Sequence, residues 1–83
     1  MAEQLKFFLR LKQVLHATGM SRSWTYEAIR RGEFPQPIAL GTRAVGWPSC
    51  EVAAVNAARI AGKSVDEIRA LVMTLEAARK AAA

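Results

Sequence analysis

Only Gly19, Met20 and Ser21 separate two stretches of helical periodicity. This short link most constrains what the chain can fold into. Leu11, Val14, Leu15 and Thr18 recur at i, i+3, i+4 and i+7, which marks one face of a helix. Gly19 then supplies the residue type on which helices commonly stop, because it enters the left-handed region freely. Ser21 is a good N-cap, since its hydroxyl can accept from a free N–H of the next turn. Thr25, Tyr26 and Ile29 place apolar surface along one side of a second helix. Arg30 and Arg31 fall in its last turn, where cations suit the helix dipole, and Gly32 ends it. The spacing predicts helices over about 11–18 and 22–31, joined by a turn of helix-turn-helix length.

Residues 1–5 are expected to be loose, and Lys6 to Arg10 to form a short strand. Phe34-Pro35-Gln36-Pro37 cannot be helical, because each proline lacks an N–H and pushes the preceding residue toward extended geometry. Ile38–Leu40 and Val45–Trp47 read as two strands around Gly41-Thr42-Arg43-Ala44, a small β-hairpin wing. Phe34, Trp47 and Tyr26 sit in apolar local patterns and are expected in the core, with the Tyr26 hydroxyl needing a partner there. Pro48 and Ser49 open a third helix, with Ser49 as N-cap and Glu51 in the first turn; Val52 and Val55 share a face and Gly62 ends it. Ser64 and Glu67 stand at capping-box spacing ahead of a fourth helix that runs from Val65 into the alanine-rich tail.

The expected fold class is therefore mostly α with a small β-hairpin: a winged helix-turn-helix plus an additional C-terminal helix. Residues 1–61 form the winged unit and 62–83 the amphipathic helix. Val65, Ile68, Val72 and Leu75, with Leu71 beside them, make a stripe spaced 3, 4, 3 that must be buried somewhere. Two burials remain open, onto the first and third helices or against a second copy in a weak homodimer.

Charge narrows the partner. The formal net charge is +5 and the isoelectric point about 10.2. Residues 1–47 carry seven Lys and Arg against three acids, and residues 48–83 five against four. A basic first half favours a polyanion, either nucleic acid or an anionic membrane surface. No run of about 18 apolar residues exists to span a bilayer, and Phe7-Phe8-Leu9 is too short for a signal peptide, so neither a membrane span nor a leader is expected. The lone Cys50 allows no internal disulfide and suits a reducing cytoplasm. One cysteine and the single His16 cannot make a zinc site or support a triad. An enzyme, a small-molecule substrate and a cofactor are not expected.

A helix-turn-helix lays its second helix in the major groove of double-stranded DNA, which accepts one α-helix. With Thr25 and Ile29 on the core side, Ser23, Trp24, Glu27 and Arg31 fall on or beside the opposite face. Arg22 occupies the first turn, where it can contact guanine or a phosphate. Ser23 can donate to a phosphate or a base there, or serve only to assist capping. Trp24 can touch a thymine methyl or fold back onto the N-terminal strand. Glu27 can accept from cytosine, but pairing with Arg30 or Arg31 is favoured, because a carboxylate facing phosphates is costly. Arg43, at the tip of the wing, can reach a phosphate or the minor groove.

The string RLKQVLHATGMSRSWTYEAIRRGEFPQPIALGTRAVGWPSCEV resembles the AlpA family of small phage and prophage regulators. These are similar to the winged-helix domains of MerR regulators and phage excisionases. The resemblance covers about residues 10–55 and rests on RLKQV, TGMSRS with Tyr26, RGEFPQPIALG, R-A-V-G-W and Glu51-Val52. It implies a transcriptional regulator of prophage or mobile-element genes, with Ser21, Arg22 and Ser23 at the start of the recognition helix and Arg43 on the wing. A related reading is an excisionase that bends attachment-site DNA; a more distant one is a protein-interaction module without DNA binding. The sequence departs from the family at Trp24, usually a small or β-branched residue, and at Val55, usually a tryptophan. The first departure implies a different base preference and the second a looser third helix.

Overall fold

The computed structural model of the chain describes residues 7–81. Residues 1–5 and Lys6 lie outside the described residues, so the loose start and the first residue of the expected strand are not addressed. In chain order the elements are β1 (Phe8–Leu9), α1 (Leu11–Thr18), α2 (Arg22–Arg30), β2 (Ile38–Ala39), β3 (Val45–Pro48), α3 (Ser49–Ile60) and α4 (Val65–Ala81). The architecture is mostly α with a small antiparallel sheet, as the sequence predicts.

Both ends of the tight turn are pinned locally. Gly19 ends α1 with φ of 74°, and its N–H donates to the Leu15 carbonyl at 2.9 Å. A side chain there would strain the left-handed backbone, which is why glycine serves. On the far side the Ser21 hydroxyl accepts from the Trp24 N–H at 3.0 Å, the expected cap. The Thr25 hydroxyl donates to the Ser21 carbonyl at 2.9 Å, so this wholly buried side chain is satisfied. Helix α2 stops one residue earlier than expected. Arg31 is its C-cap, and Gly32, with φ of 77°, turns the chain so that the Glu33 N–H donates to the Ala28 carbonyl at 2.8 Å.

The strands form one sheet in the order β1-β3-β2. Phe8 faces Pro48 and Leu9 faces Trp47 on one side; Ile38 faces Gly46 and Ala39 faces Val45 on the other. The expected hairpin is present, with the Leu40 N–H donating to the Ala44 carbonyl at 2.7 Å. Its second strand gains a partner in β1. Gly46 sits at a crowded crossing, where a Cβ would lie 2.7 Å from Leu40 Cδ1 and 3.3 Å from the Leu9 carbonyl oxygen.

Ser49 is not the cap of α3. Strand β3 runs straight into the helix, so Ser49 is still tied to the β1 side: its N–H donates to the Phe7 carbonyl at 2.6 Å, and its hydroxyl accepts from the Phe7 N–H at 3.3 Å. Pro48 takes the capping position with its φ near −58°. Helix α4, by contrast, starts with the predicted capping box. The Ser64 N–H donates to Glu67 Oε1 at 2.8 Å, and the Glu67 N–H donates to the Ser64 hydroxyl at 3.1 Å. Hydrogen bonding of the carboxylate by the Ser64 N–H and then by the Ser64 side chain, with the Lys63 charge nearby, holds the Glu67 carboxyl below its ordinary value of 4.5.

One cluster of buried side chains joins the elements: Val14, Ala28, Phe34, Trp47, Val52, Val55, Ile68 and Val72. Val55 is wholly buried, so α3 packs well without a tryptophan at that position. Tyr26 is the exception among the residues expected in the core. It is 39% exposed, because Ala28 rather than Ile29 lies at the centre of the buried face of α2. At about 100° per residue, this turns the helix by about 50° from the expected orientation and carries Tyr26 outward.

The stripe on α4 is buried within the chain. Ile68 and Val72 belong to the core cluster, with Leu71 and Leu75 half-buried against it. Val65, one turn before that contact begins, remains 49% exposed. At the other end of the helix Arg79 donates from Nε and Nη2 to the buried Glu51 carboxylate at 2.9 and 2.5 Å, and from Nη2 to the Gln36 carbonyl at 2.8 Å. The bond to Glu51 raises the Arg79 pKa above its ordinary value. Glu76 accepts from the Gln36 N–H at 2.9 Å, so α4 grips both backbone groups of one residue in the proline-rich segment.

Two stability predictions follow from this packing. Ile68→Ala deletes buried methyl groups and leaves a cavity, so it should cost about 2–4 kcal/mol in urea unfolding. A cost under about 1 kcal/mol would mean that α4 is not part of the cooperative core. Arg79→Met leaves a buried carboxylate without a cation and should cost about 3 kcal/mol. Adding Glu51→Leu should restore most of that loss, because the unpaired charge is then gone. Equal losses in the single and double variants would show that the pairing itself is unimportant.

Candidate nucleic-acid interface

Helix α2 shows its outward side at Arg22, Ser23, Tyr26 and Arg30, all exposed. Arg22 and Tyr26 are four residues apart, and the Arg22 guanidinium lies 5.8 Å from the centre of the Tyr26 ring. Tyr26 thus joins the candidate surface, and its hydroxyl needs no internal partner. Ser21 and Ser23 flank Arg22 at the start of the helix; Ser21 is occupied as the cap, and Ser23 is exposed. Glu27 is paired with both arginines of the last turn, with Arg30 through a hydrogen bond and with Arg31 at 3.4 Å. This is the pairing favoured from the spacing, and it removes a bare carboxylate from the outward side of α2.

Trp24 is placed differently from the rest. It is half-buried and rests against the core cluster. The Arg59 guanidinium of α3 lies 4.7 Å from its ring centre. The ring packs toward α3, not onto the N-terminal strand, because the turn of α2 described above carries it to the flank of the helix. Arg43 stands exposed in the loop between β2 and β3, on an element separate from α2. The structure therefore groups Ser21, Arg22, Ser23, Glu27, Arg30 and Arg31 along one helix, with Trp24 at its margin and Arg43 on another element.

The carboxylates around this surface are committed elsewhere. Among the described residues, Glu27 pairs with Arg30 and Arg31, Glu33 and Asp66 with Arg69, and Glu51 with Arg79. Glu67 and Glu76 accept from backbone N–H groups. Arg10, Lys12, Arg22 and Arg43 of the first half have no carboxylate partner among the described residues, and neither do Arg59, Lys63 and Lys80 of the second half. An apolar cavity of about 280 Å³ opens between Phe7, Phe8, Ile38 and Leu75, and the two charged residues in its wall, Glu51 and Arg79, are spent on each other.

Two arginines outside the sequence-derived set act on α2 from behind. Arg59 covers Trp24 and donates to the Glu33 carbonyl at 3.4 Å. Arg69 donates from Nε to the Arg31 carbonyl at 3.1 Å and from Nη2 to Glu33 at 3.2 Å. No local pattern marks their contacts with the reversal, since those partners are 26 to 38 positions away; only Asp66, three residues before Arg69, is near in sequence. The Arg22–Tyr26 contact was available from the i, i+4 spacing alone.

Comparison with known proteins places this arrangement. The family described as Prophage CP4-57 regulatory protein (AlpA) matches residues 7–59. A protein of Enterobacteria phage P4, the uncharacterized protein ORF88, is 52% identical over 56 residues. That match covers 68% of this chain and 64% of the phage protein, so the chain spans somewhat less than two thirds of that relative's length. No solved structure matches the chain. The matched segment runs from β1 almost to the end of α3 and contains every residue of the candidate surface, whereas α4 lies beyond it. The family is a regulatory one, not an enzyme family, and the chain belongs to it: it is a member of the AlpA family of prophage regulatory proteins.

Proposed function

We propose that the chain is a sequence-specific double-stranded DNA-binding transcriptional regulator of prophage or mobile-element genes, acting in the bacterial cytoplasm without a cofactor. Helix α2 enters the major groove with Arg22 and Ser23 at its leading end. The loop carrying Arg43 meets the flanking backbone or minor groove. The observation that carries the reading is the placement of charge: Glu27 is paired with Arg30 and Arg31, while Arg22 on the outward side of α2 and Arg43 on the loop are exposed with no carboxylate partner among the described residues. Such a surface attracts a polyanion, and a nine-residue helix with an outward arginine, serine and tyrosine suits a groove that admits one helix. No helix of the described residues is long and apolar enough to cross a membrane. The regulatory character of the family agrees with a nucleic-acid partner.

Selection from random duplexes, followed by binding at several salt concentrations, tests the proposal. Roughly four to six phosphate contacts should give a slope of log K against log salt of about −4 to −5. A flat response would exclude DNA as the ligand. Footprinting the selected sequence on phage DNA should protect a promoter site; phased sites in an attachment region would assign excision in place of transcriptional control.

The two arginines should separate by role. Arg22→Ala should cost about 1–3 kcal/mol on the selected sequence and relax preference at one or two base pairs. Arg43→Ala should weaken selected and random duplexes alike, as loss of a phosphate contact does. Equal losses on both duplexes for Arg22→Ala would remove it from base recognition.

A further inference from the structure

Helix α2 is held unevenly. Arg22 and Ser23 at its leading end are exposed and make no hydrogen bond to another element, and Trp24 behind them packs toward α3, whereas the backbone at its trailing end is gripped from two other helices. Arg31, Gly32 and Glu33 form the reversal after α2, and two carbonyls of this reversal, those of Arg31 and Glu33, accept from the guanidinium groups of Arg69 and Arg59. The Arg69 side chain also binds the Glu33 carboxylate, which is largely buried, and reaches Asp66 at 3.7 Å. Arg59 adds its contact with the Trp24 ring at 4.7 Å. Arg69 follows Ile68, which is fixed in the core, so its backbone is well anchored. Arg69 lies beyond the segment that matches the family.

We propose that Arg69 is a positioning residue for α2: helix α4 uses it to fix the trailing end of the recognition helix and so sets the angle at which Arg22 and Ser23 meet DNA. The functional half of the inference rests on the DNA-binding reading above. The reasoning is mechanical. Eight steps of about 1.5 Å carry α2 about 12 Å from its trailing end to Arg22, so a tilt of about 5° at the clamp displaces that end by about 1 Å. Hydrogen bonds to base edges tolerate only a few tenths of an ångström, whereas phosphate attraction falls off gently with distance. Loosening the clamp therefore penalises the cognate sequence selectively.

The test uses the full chain with Arg69→Gln and Glu33→Gln. These variants change the net charge in opposite directions but break the same contact. If Arg69 positions α2, both variants should lower affinity for the selected duplex about 5- to 10-fold, while affinity for random duplex shifts less than about twofold. If Arg69 instead contacts phosphate, Arg69→Gln should weaken selected and random duplexes equally and make the salt slope shallower by about 1, while Glu33→Gln should strengthen both; that result overturns the proposal. Amide hydrogen exchange without DNA examines the clamp by itself. Arg69→Gln should speed exchange at the Arg31, Gly32 and Glu33 amides at least tenfold while leaving the α3 amides unchanged, which a general loss of stability would not do. Unchanged exchange at those three amides overturns the clamp. Selective exchange in a protein whose wild type shows no sequence preference on DNA upholds the clamp and overturns only the DNA-binding reading.

Discussion

The arrangement depends most on the placement of Trp47. It is the largest fully buried side chain and stands on β3, the strand between the other two. Burying an indole of this size is strongly favourable only if its N–H finds an acceptor. Here Nε1 donates to the Pro35 carbonyl at 2.8 Å, a group that the proline-rich segment leaves free because it belongs to neither helix nor sheet. Phe34 packs beside the ring at a tilt, with centroids 6.3 Å apart. One side chain thus ties the segment after α2 to the centre of the sheet. The prolines that end the helical region also supply the bond that makes the tryptophan tolerable. Both flanks of β3 are then paired, and its last residue leads directly into α3. The positions of β1, the hairpin and α3 follow from that strand.

Electrostatics forms a second layer on this frame. The acids are used as fasteners. Glu51 anchors the end of α4, Glu33 anchors the reversal after α2, and Glu27 restrains the arginines beside it. A small domain has little apolar area to spend on each of these joints, and charge-assisted hydrogen bonds hold them with few atoms. Glu51 and Asp66 meet arginines of the second half and Glu27 meets those beside it, so Arg22 at the leading edge of α2 is left without a carboxylate partner among the described residues. In the proposed reading, the same bonds that fasten α4 also leave the leading edge of α2 electropositive.

Local features of the fold were legible in the sequence, and features that depend on distance were not. Gly19, Ser21, Gly32 and the Ser64–Glu67 pair each act within a few residues, and each does in the structure what its chemistry predicts. The hairpin could be read because strand alternation and a glycine-containing loop are local signals. The errors arose where a tertiary contact decided. Ser49 lost its capping role to Pro48 because β1 arrives from about 40 positions away to occupy it. Tyr26 is exposed instead of buried, and Trp24, left open between DNA and the N-terminal strand, packs toward α3, because the choice between Ala28 and Ile29 as the buried centre of α2 is made by the neighbouring helices. For the candidate surface, the arginines of α2 and the loop were visible as residue types at suitable positions. Arg59 and Arg69 were not, since their partners in the reversal lie far away in sequence and Asp66, three residues before Arg69, announces only a local pair.

The pairing of β1 with β3 joins Phe8 to Pro48, and α4 reaches Gln36 from positions 40 and 43 residues further on. Contacts of such separation form only after most of the chain has lost its freedom, so little native stability accumulates early in folding. Helix α1, the turn and the hairpin can flicker into shape alone, but the Glu51 carboxylate meets its Arg79 partner only once α4 has folded against α3. A chain still emerging from the ribosome would therefore hold its candidate reading helix without support, and that helix would become rigid only when the fold closes as a whole.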